Sequence, residues 1–349
     1  MSCRNQVLVF GAAVCAAAFF YSPPLQAGDT EIRTGDVRFV PTPDEPTVPE
    51  LFRLEAHQFS FRQEPLPTVS KSMTISQLTF PSPVETPHMV NNTVHCEYFR
   101  PTSAGKHPAT VVLHILGGDF ELSRLFCRNL AQHGVAALFL KLPYYGPRRP
   151  AEGRVRMVSE DPRQTVEGMR QAILDIRRGA AWLAAQQEVD PEQLGVFGIS
   201  LGGITSALAA TAEPRFHKAC LMLAGGDIGQ VAWDDPKLTR LRQKWIDEGG
   251  TKDEFIRLWK SIDPVTYADR VRKRKTKILM LNARQDEIIP PICTESLWRA
   301  FGEPEIVWYD AGHVSAAKYI FDGLGRVSRF FQPESDEARQ PPAAAKEAE

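Results

Sequence analysis

From residue 110 onward, short and nearly continuous apolar runs alternate with stretches of helical periodicity, and this alternation constrains the fold more than any other feature of the sequence. The runs at 110–116, 135–142, 194–199, 219–224, 277–281 and 305–309 lack the in–out pattern of a strand with one wet face. Strands covered on both faces read this way. Helix-compatible stretches separate them: one begins near Leu122, and others cover 166–187, 201–211, 292–301 and 314–331. In the second stretch Ile173, Ile176, Ala180 and Leu183 recur at three- and four-residue steps, and Asp161-Pro162 supplies a start signal. The predicted fold class is therefore α/β, a doubly wound and mainly parallel sheet.

Two alternating segments, 73–80 and 93–99, precede this pattern and are separated by Pro81, Pro83, Pro87 and the turn signal Asn91-Asn92. They predict antiparallel strands opening the sheet. That makes 219–224 the sixth strand, and a charged helical insertion follows it at 234–270, with Trp245 and Trp259 on either side of a break at Gly249-Gly250. The folded α/β domain is expected to span 71–332. Residues 28–70 are rich in Pro, Thr, Asp and Glu and read as an extended N-terminal arm, while 333–349 read as a disordered, charged tail. In residues 1–27, Arg4 precedes an apolar run from Val7 to Tyr21, and Gln26-Ala27 lies in a cleavage-like region. This predicts a signal peptide and export to the periplasm or medium. A membrane anchor is the alternative, but the run falls short of the ~20 apolar residues of a span.

Composition narrows the partners. With 41 Lys+Arg against 42 Asp+Glu in 349 residues, the chain has no basic excess, so no nucleic-acid partner is expected. The basic segment 270–277 precedes a strand and reads as a solvated face. Cys3 and Cys15 fall in the leader. Cys96, Cys127, Cys220 and Cys293 are widely spaced without a C-x-x-C pair, which leaves buried thiols or, after export, disulfides. No nucleotide-binding glycine pattern or metal motif occurs, so neither cofactor nor metal is expected.

Chemistry concentrates at Gly198-Ile199-Ser200-Leu201-Gly202, a G-x-S-x-G at the join of a strand and an alanine-rich helix. A serine on such a turn projects its hydroxyl, and the flanking glycines let neighbouring chain pass close by. Serine needs a base, and the base needs an acid to fix its tautomer. His313 lies in the loop after 305–309, and Asp286 in the loop after 277–281. Glu287 is the second candidate acid; Asp263 and Asp310 follow. His217 is the competing base, but it precedes a strand and belongs at the opposite sheet edge. Ser200, Asp286 and His313 thus fall in the order Ser, Asp, His, each after a predicted parallel strand.

These motifs, with Leu113-His114-Ile115-Leu116-Gly117-Gly118, Asp286-x-x-Ile289-Pro290 and Gly312-His313, resemble the α/β-hydrolase superfamily over roughly 73–331. The chain is most similar to the branch of dienelactone-hydrolase-like and acetyl-xylan-esterase-like proteins. The resemblance implies Ser200 as nucleophile, Asp286 as acid and His313 as base. It departs from that pattern at Ala283, where many relatives carry glycine, and at His114-Ile115, which replaces His-Gly. An oxyanion hole is expected from the N–H groups of Leu201 and Leu116, with Gly117 as the alternative to Leu116. Tyr144, Tyr145, Arg148 and Arg149, on a proline-stiffened loop after 135–142, are candidate binders of a polar or anionic substrate.

The expected activity is hydrolysis of a carboxylic ester, on a small molecule or a carbohydrate, through an acyl-enzyme. Peptidase or amidase activity is the alternative within the same triad. The N-terminal propeller of one such peptidase group has no room here, which argues for esters. A non-catalytic exported binding protein on the same fold is the alternative of a different class.

Overall fold

A computed structural model describes residues 31–118, 120–151, 155–234 and 239–333. The signal-peptide segment, and the tail from Glu334 onward, lie outside these residues. Ten strands form one sheet: β1 (Arg33–Phe39), β2 (His57–Leu66), β3 (Met73–Pro81), β4 (Thr93–Pro101), β5 (His107–Leu113), β6 (Ala136–Leu140), β7 (Val189–Ile199), β8 (Phe216–Met222), β9 (Lys277–Ala283) and β10 (Glu305–Tyr309). The helices described are α1 (Phe120–Gln132), α2 (Pro162–Ala184), α3 (Leu201–Ala212), α4 (Ile228–Asp234), α5 (Thr239–Asp247), α6 (Lys252–Lys260), α7 (Ala268–Arg274), α8 (Pro291–Ala300) and α9 (Ile320–Phe331).

The spatial order is β1-β2-β3-β4-β6-β5-β7-β8-β9-β10. Pairing is antiparallel from β1 through β4 to β6 and parallel from β6 onward. Every residue of β5 and β6 is buried, which is why these strands read as unbroken apolar runs. One face carries α1 and α9, whose Phe126, Leu130, Val327 and Phe331 pack with Phe139 and Phe197. The other carries α2 and α3, whose Ile173, Ile176, Trp182 and Leu208 pack with Val111, Leu138 and Val196. A Leu or Ile fully withdrawn from water contributes about 1.5–3 kcal/mol, so the two layers fix the sheet between them.

The N-terminal segment departs from the arm expected of it. Residues 33–66 contain β1 and β2, which extend the sheet by an antiparallel hairpin, with Phe39, Phe59 and Phe61 turned into the core. The period-two signal is confined to a few positions among charged and proline residues, so composition masks it. Between these strands, Glu45 and the Phe52 carbonyl bind the fully buried Arg177 of α2 at 2.6 Å each, and Glu213 closes the third side at 3.0 Å. The insertion accordingly follows the eighth strand rather than the sixth.

That insertion comprises α4 to α7 and has a small core of Trp233, Trp245 and Phe255. Thr251 and Glu254 form a reciprocal capping box that starts α6. At the Gly249-Gly250 break, a Cβ on Gly250 would lie 2.2 Å from the Trp245 ring, so the turn needs glycine to close on the indole. The Arg163 guanidinium, at the start of α2, sits 4.5 Å over the same ring and joins the insertion to the body. Among the described residues no helix is long and apolar enough to cross a membrane.

Candidate active site

The winding of the sheet creates the site. From β5 the chain passes through α1 to β6 on one side, then through α2 to β7 on the other side of β5. The loops after β5 and β7 therefore diverge, leaving a crevice at the carboxyl edge between them. Residues 114–118 form one lip and Ser200 the other.

Ser200 has φ 56° and ψ −115°, and its N–H donates to the Met222 carbonyl at 2.8 Å. A non-glycine residue holds such angles only when its surroundings impose them. Here the imposition comes from chain packed too closely for side chains. A Cβ on Gly198 would lie 2.2 Å from the Gly202 carbonyl oxygen, and one on Gly202 would lie 2.6 Å from that of Leu113. The glycines of the motif thus press the first turn of α3 against the ends of β5 and β7.

His313 and Asp286 meet the serine from the loops after β10 and β9. His313 Nε2 is 2.9 Å from Ser200 Oγ, and His313 Nδ1 is 2.7 Å from Asp286 Oδ2. The second carboxylate oxygen accepts the N–H groups of Ile288 and Ile289 at 2.9 and 2.7 Å. Both oxygens of this buried aspartate are therefore engaged, which fixes the plane of the imidazole. Glu287, the second candidate acid, is placed differently: its Oε2 accepts the backbone N–H of His313 at 2.9 Å. Gly312 makes room for it, since a Cβ there would lie 2.5 Å from that oxygen.

The remaining candidates lie off this line. Asp310 accepts from the Gln285 amide at 2.7 Å. Asp263 caps the turn after it, taking the N–H of Val265 at 2.9 Å and of Ile228 at 3.2 Å. Burial, with the Asp227 charge adding to it against those N–H bonds, raises its carboxyl to about 6. His217 is exposed near the amino end of β8, on the opposite edge.

On the lips of the crevice, neither the Leu201 nor the Leu116 N–H is engaged in a hydrogen bond among the described residues. The Leu201 amide directly follows Ser200, and the Leu116 amide lies in the turn after β5. Gly117, the alternative, has its N–H beside the Tyr145 hydroxyl, whose pKa burial raises against that N–H contact. Leu116 is thus the less encumbered donor.

The loop after β6 differs from the substrate-binding role expected of it. Arg148 is fully buried: its guanidinium pairs with Asp175 at 2.8 Å and donates to the carbonyls of Asn91 and Lys141 at 2.7 and 3.1 Å. With its donors spent inside the protein it braces the loop and is not a receptor for an anion. Tyr144 is buried too, at φ 66°, with its N–H on the Asn91 side-chain oxygen at 2.9 Å. Tyr145 borders the crevice, and Arg149 is exposed.

Two residues that sequence reasoning passed over organise this region. The buried His114 places Nδ1 at 2.8 Å from the Ile115 carbonyl and accepts the Leu142 N–H on Nε2 at 3.1 Å, linking the two loops. Burial, against the Ile115 bond, lowers its pKa to about 4, so the ring is a neutral strut. Asn91 is the other, and its place in a predicted turn was the only signal available. The four described cysteines are buried and unpaired, with Cys96 and Cys293 thiols raised by burial to about 12.

Comparison with known proteins places this geometry in context. A family model described as the prolyl oligopeptidase family matches residues 169–318, and one described as alpha/beta hydrolase domain containing 18 matches 68–227. A protein of Mycobacterium tuberculosis, named only as uncharacterized, is 29% identical over 174 residues, or 49% of this chain and 40% of that protein. A second from the same organism is 26% identical over 225 residues, or 62% and 66%. The matched region spans less than two thirds of either relative. Among solved structures, acetyl xylan esterase 1 from a Thermoanaerobacterium species superposes with TM-score 0.61 at 20% identity, covering 78% of this chain and 86% of that one. An acetyl xylan esterase from a Paenibacillus species gives TM-score 0.61 at 20% identity, covering 77% and 88%. A dienelactone hydrolase from Klebsiella pneumoniae, itself described as putative in name, gives 0.50 at 22%, covering 74% and 98%.

Proposed function

On the α/β-hydrolase fold that this chain adopts, we propose that the protein is a serine hydrolase cleaving a carboxylic ester through an acyl-enzyme. The observation that carries the reading is the unbroken line from Ser200 Oγ through the His313 ring to Asp286, at 2.9 and 2.7 Å. Ser200 Oγ attacks the ester carbonyl and passes its proton to His313 Nε2. Asp286 holds Nδ1–H toward itself and stabilises the imidazolium. The oxyanion of the tetrahedral intermediate takes the N–H groups of Leu201 and Leu116. Collapse expels the alcohol, which leaves with the proton from Nε2, and water then releases the acid by the same steps.

Esters are favoured because named esterases share the fold. Amide hydrolysis is the second reading, supported by the prolyl oligopeptidase match over 169–318. Parallel turnover of short-chain esters and peptide anilides by wild type and Ser200→Ala separates them. Ester turnover that falls by about 10³-fold or more in the variant, with negligible anilide cleavage, is the expected result. Near wild-type activity in the folded variant contradicts the assignment. Export belongs to the proposal and rests on the sequence pattern of residues 1–27.

A further inference from the structure

Four of the large apolar side chains left in water belong to the loops that carry Ser200's partners or face its strand end. Leu116 is 55% exposed, Ile288 59%, Ile292 65% and Val314 48%. Each belongs to the segments that build the site. Leu116 lies in the turn after β5, whose end is packed against Gly202; Ile288 donates its N–H to Asp286, Ile292 lies in the first turn of α8, and Val314 directly follows His313. Isolated apolar residues on a surface carry no meaning, but four gathered on the loops at one edge of the sheet, beside the triad, do.

Polar groups on the same loops are directed elsewhere. Glu287 takes the His313 N–H, Gln285 and Asp310 bond each other, and the Arg284 guanidinium lies 5.8 Å over the Trp308 ring. Of the two arginines that sequence reading offers for a charged substrate, Arg148 is buried in its own ion pair and Arg149 stays exposed on the loop after β6. A substrate whose carbonyl reaches Ser200 Oγ is bounded by the loops after β5, β9 and β10, which carry these four side chains.

We propose that the ester taken by this site carries an extended aliphatic acyl chain, lying against Leu116, Ile288, Ile292 and Val314, rather than a bare acetyl group. The inference rests on the serine-hydrolase reading. Each methylene that leaves water against these side chains raises kcat/KM, by up to about fourfold when fully buried.

The test is a series of p-nitrophenyl acetate, butyrate, octanoate and dodecanoate, below micelle-forming concentrations, with fluorophosphonate labelling of the same preparation. The expected result is a rise in kcat/KM of about tenfold or more from acetate to octanoate. In the double variant Ile288→Ser, Val314→Ser the octanoate-to-acetate ratio falls by a similar factor. A flat or falling series in wild type whose Ser200 is labelled overturns the inference and leaves the hydrolase reading standing. Wild type that takes no label at Ser200 overturns both. The wild-type series stands by itself if the double variant does not fold.

Discussion

Ser200 occupies a backbone conformation that close chain contacts at Gly198 and Gly202 enforce, and the elbow's geometry depends on atoms that are missing as much as on those present. In Gly202→Ala the new Cβ would lie 2.6 and 2.8 Å from the Leu113 and His114 carbonyl oxygens. Relief requires the first turn of α3 to move away from the oxyanion lip. Ester kcat/KM should fall by about 10²-fold, since displacements near 1 Å at a reacting centre have this effect; wild-type kinetics in the purified variant would show that the contact is not limiting. The neutrality of His114 gives a second prediction. A base whose folded pKa is about 4, against 6.5 in a solvated chain, contributes stability above about pH 6.5 that is lost as pH falls toward 4. His95, lowered to about 4 mainly by burial, acts in the same sense, whereas the raised Asp263 opposes them. Ring ¹⁵N shifts should report His114 as the neutral Nδ1–H tautomer at about pH 5. Titration near 6.5 would contradict a strut held by Ile115 and Leu142.

At the scale of elements, what the sequence makes legible is what is local. The parallel strands and their helices announce themselves through periodicity, and Ser200, Asp286 and His313 through their positions just after strands, so these could be placed without knowing any long-range contact. Arg148 could not. Its buried partner Asp175 lies 27 residues away (175 minus 148) on α2, and no local pattern distinguishes an inward guanidinium from a receptor on a loop. Nor could the β1–β2 hairpin, whose inward phenylalanines are outnumbered by polar neighbours. The brace has a measurable consequence. Arg148→Met leaves Asp175 buried without its cation and should destabilise the protein by about 3–5 kcal/mol in urea unfolding. Adding Asp175→Leu should recover part of that loss, because the uncompensated charge is then gone. No recovery in the double variant would mean that the loop is held by packing alone.

For the molecule as a whole, the N-terminal hairpin is part of the domain it precedes. Arg177 has its guanidinium divided between Glu45 and Phe52 on one side and Glu213 on the other, so removing residues 31–66 strips it of two of these three partners, leaves Glu213 as its counter-charge and bares the edge of β3. A chain lacking that segment should unfold at least about 10 °C lower and associate on gel filtration; an unchanged midpoint would show that the hairpin is peripheral. The fold otherwise serves one edge of the sheet, where the winding opens a crevice and loops from β5, β7, β9 and β10 converge. Fluorophosphonate treatment followed by peptide-level mass spectrometry asks most directly whether that convergence makes an activated serine. A single adduct on Ser200, abolished by Ser200→Ala and strongly slowed by His313→Ala, is predicted. Folded wild-type protein that takes no adduct, or takes it at another serine, would contradict the assignment.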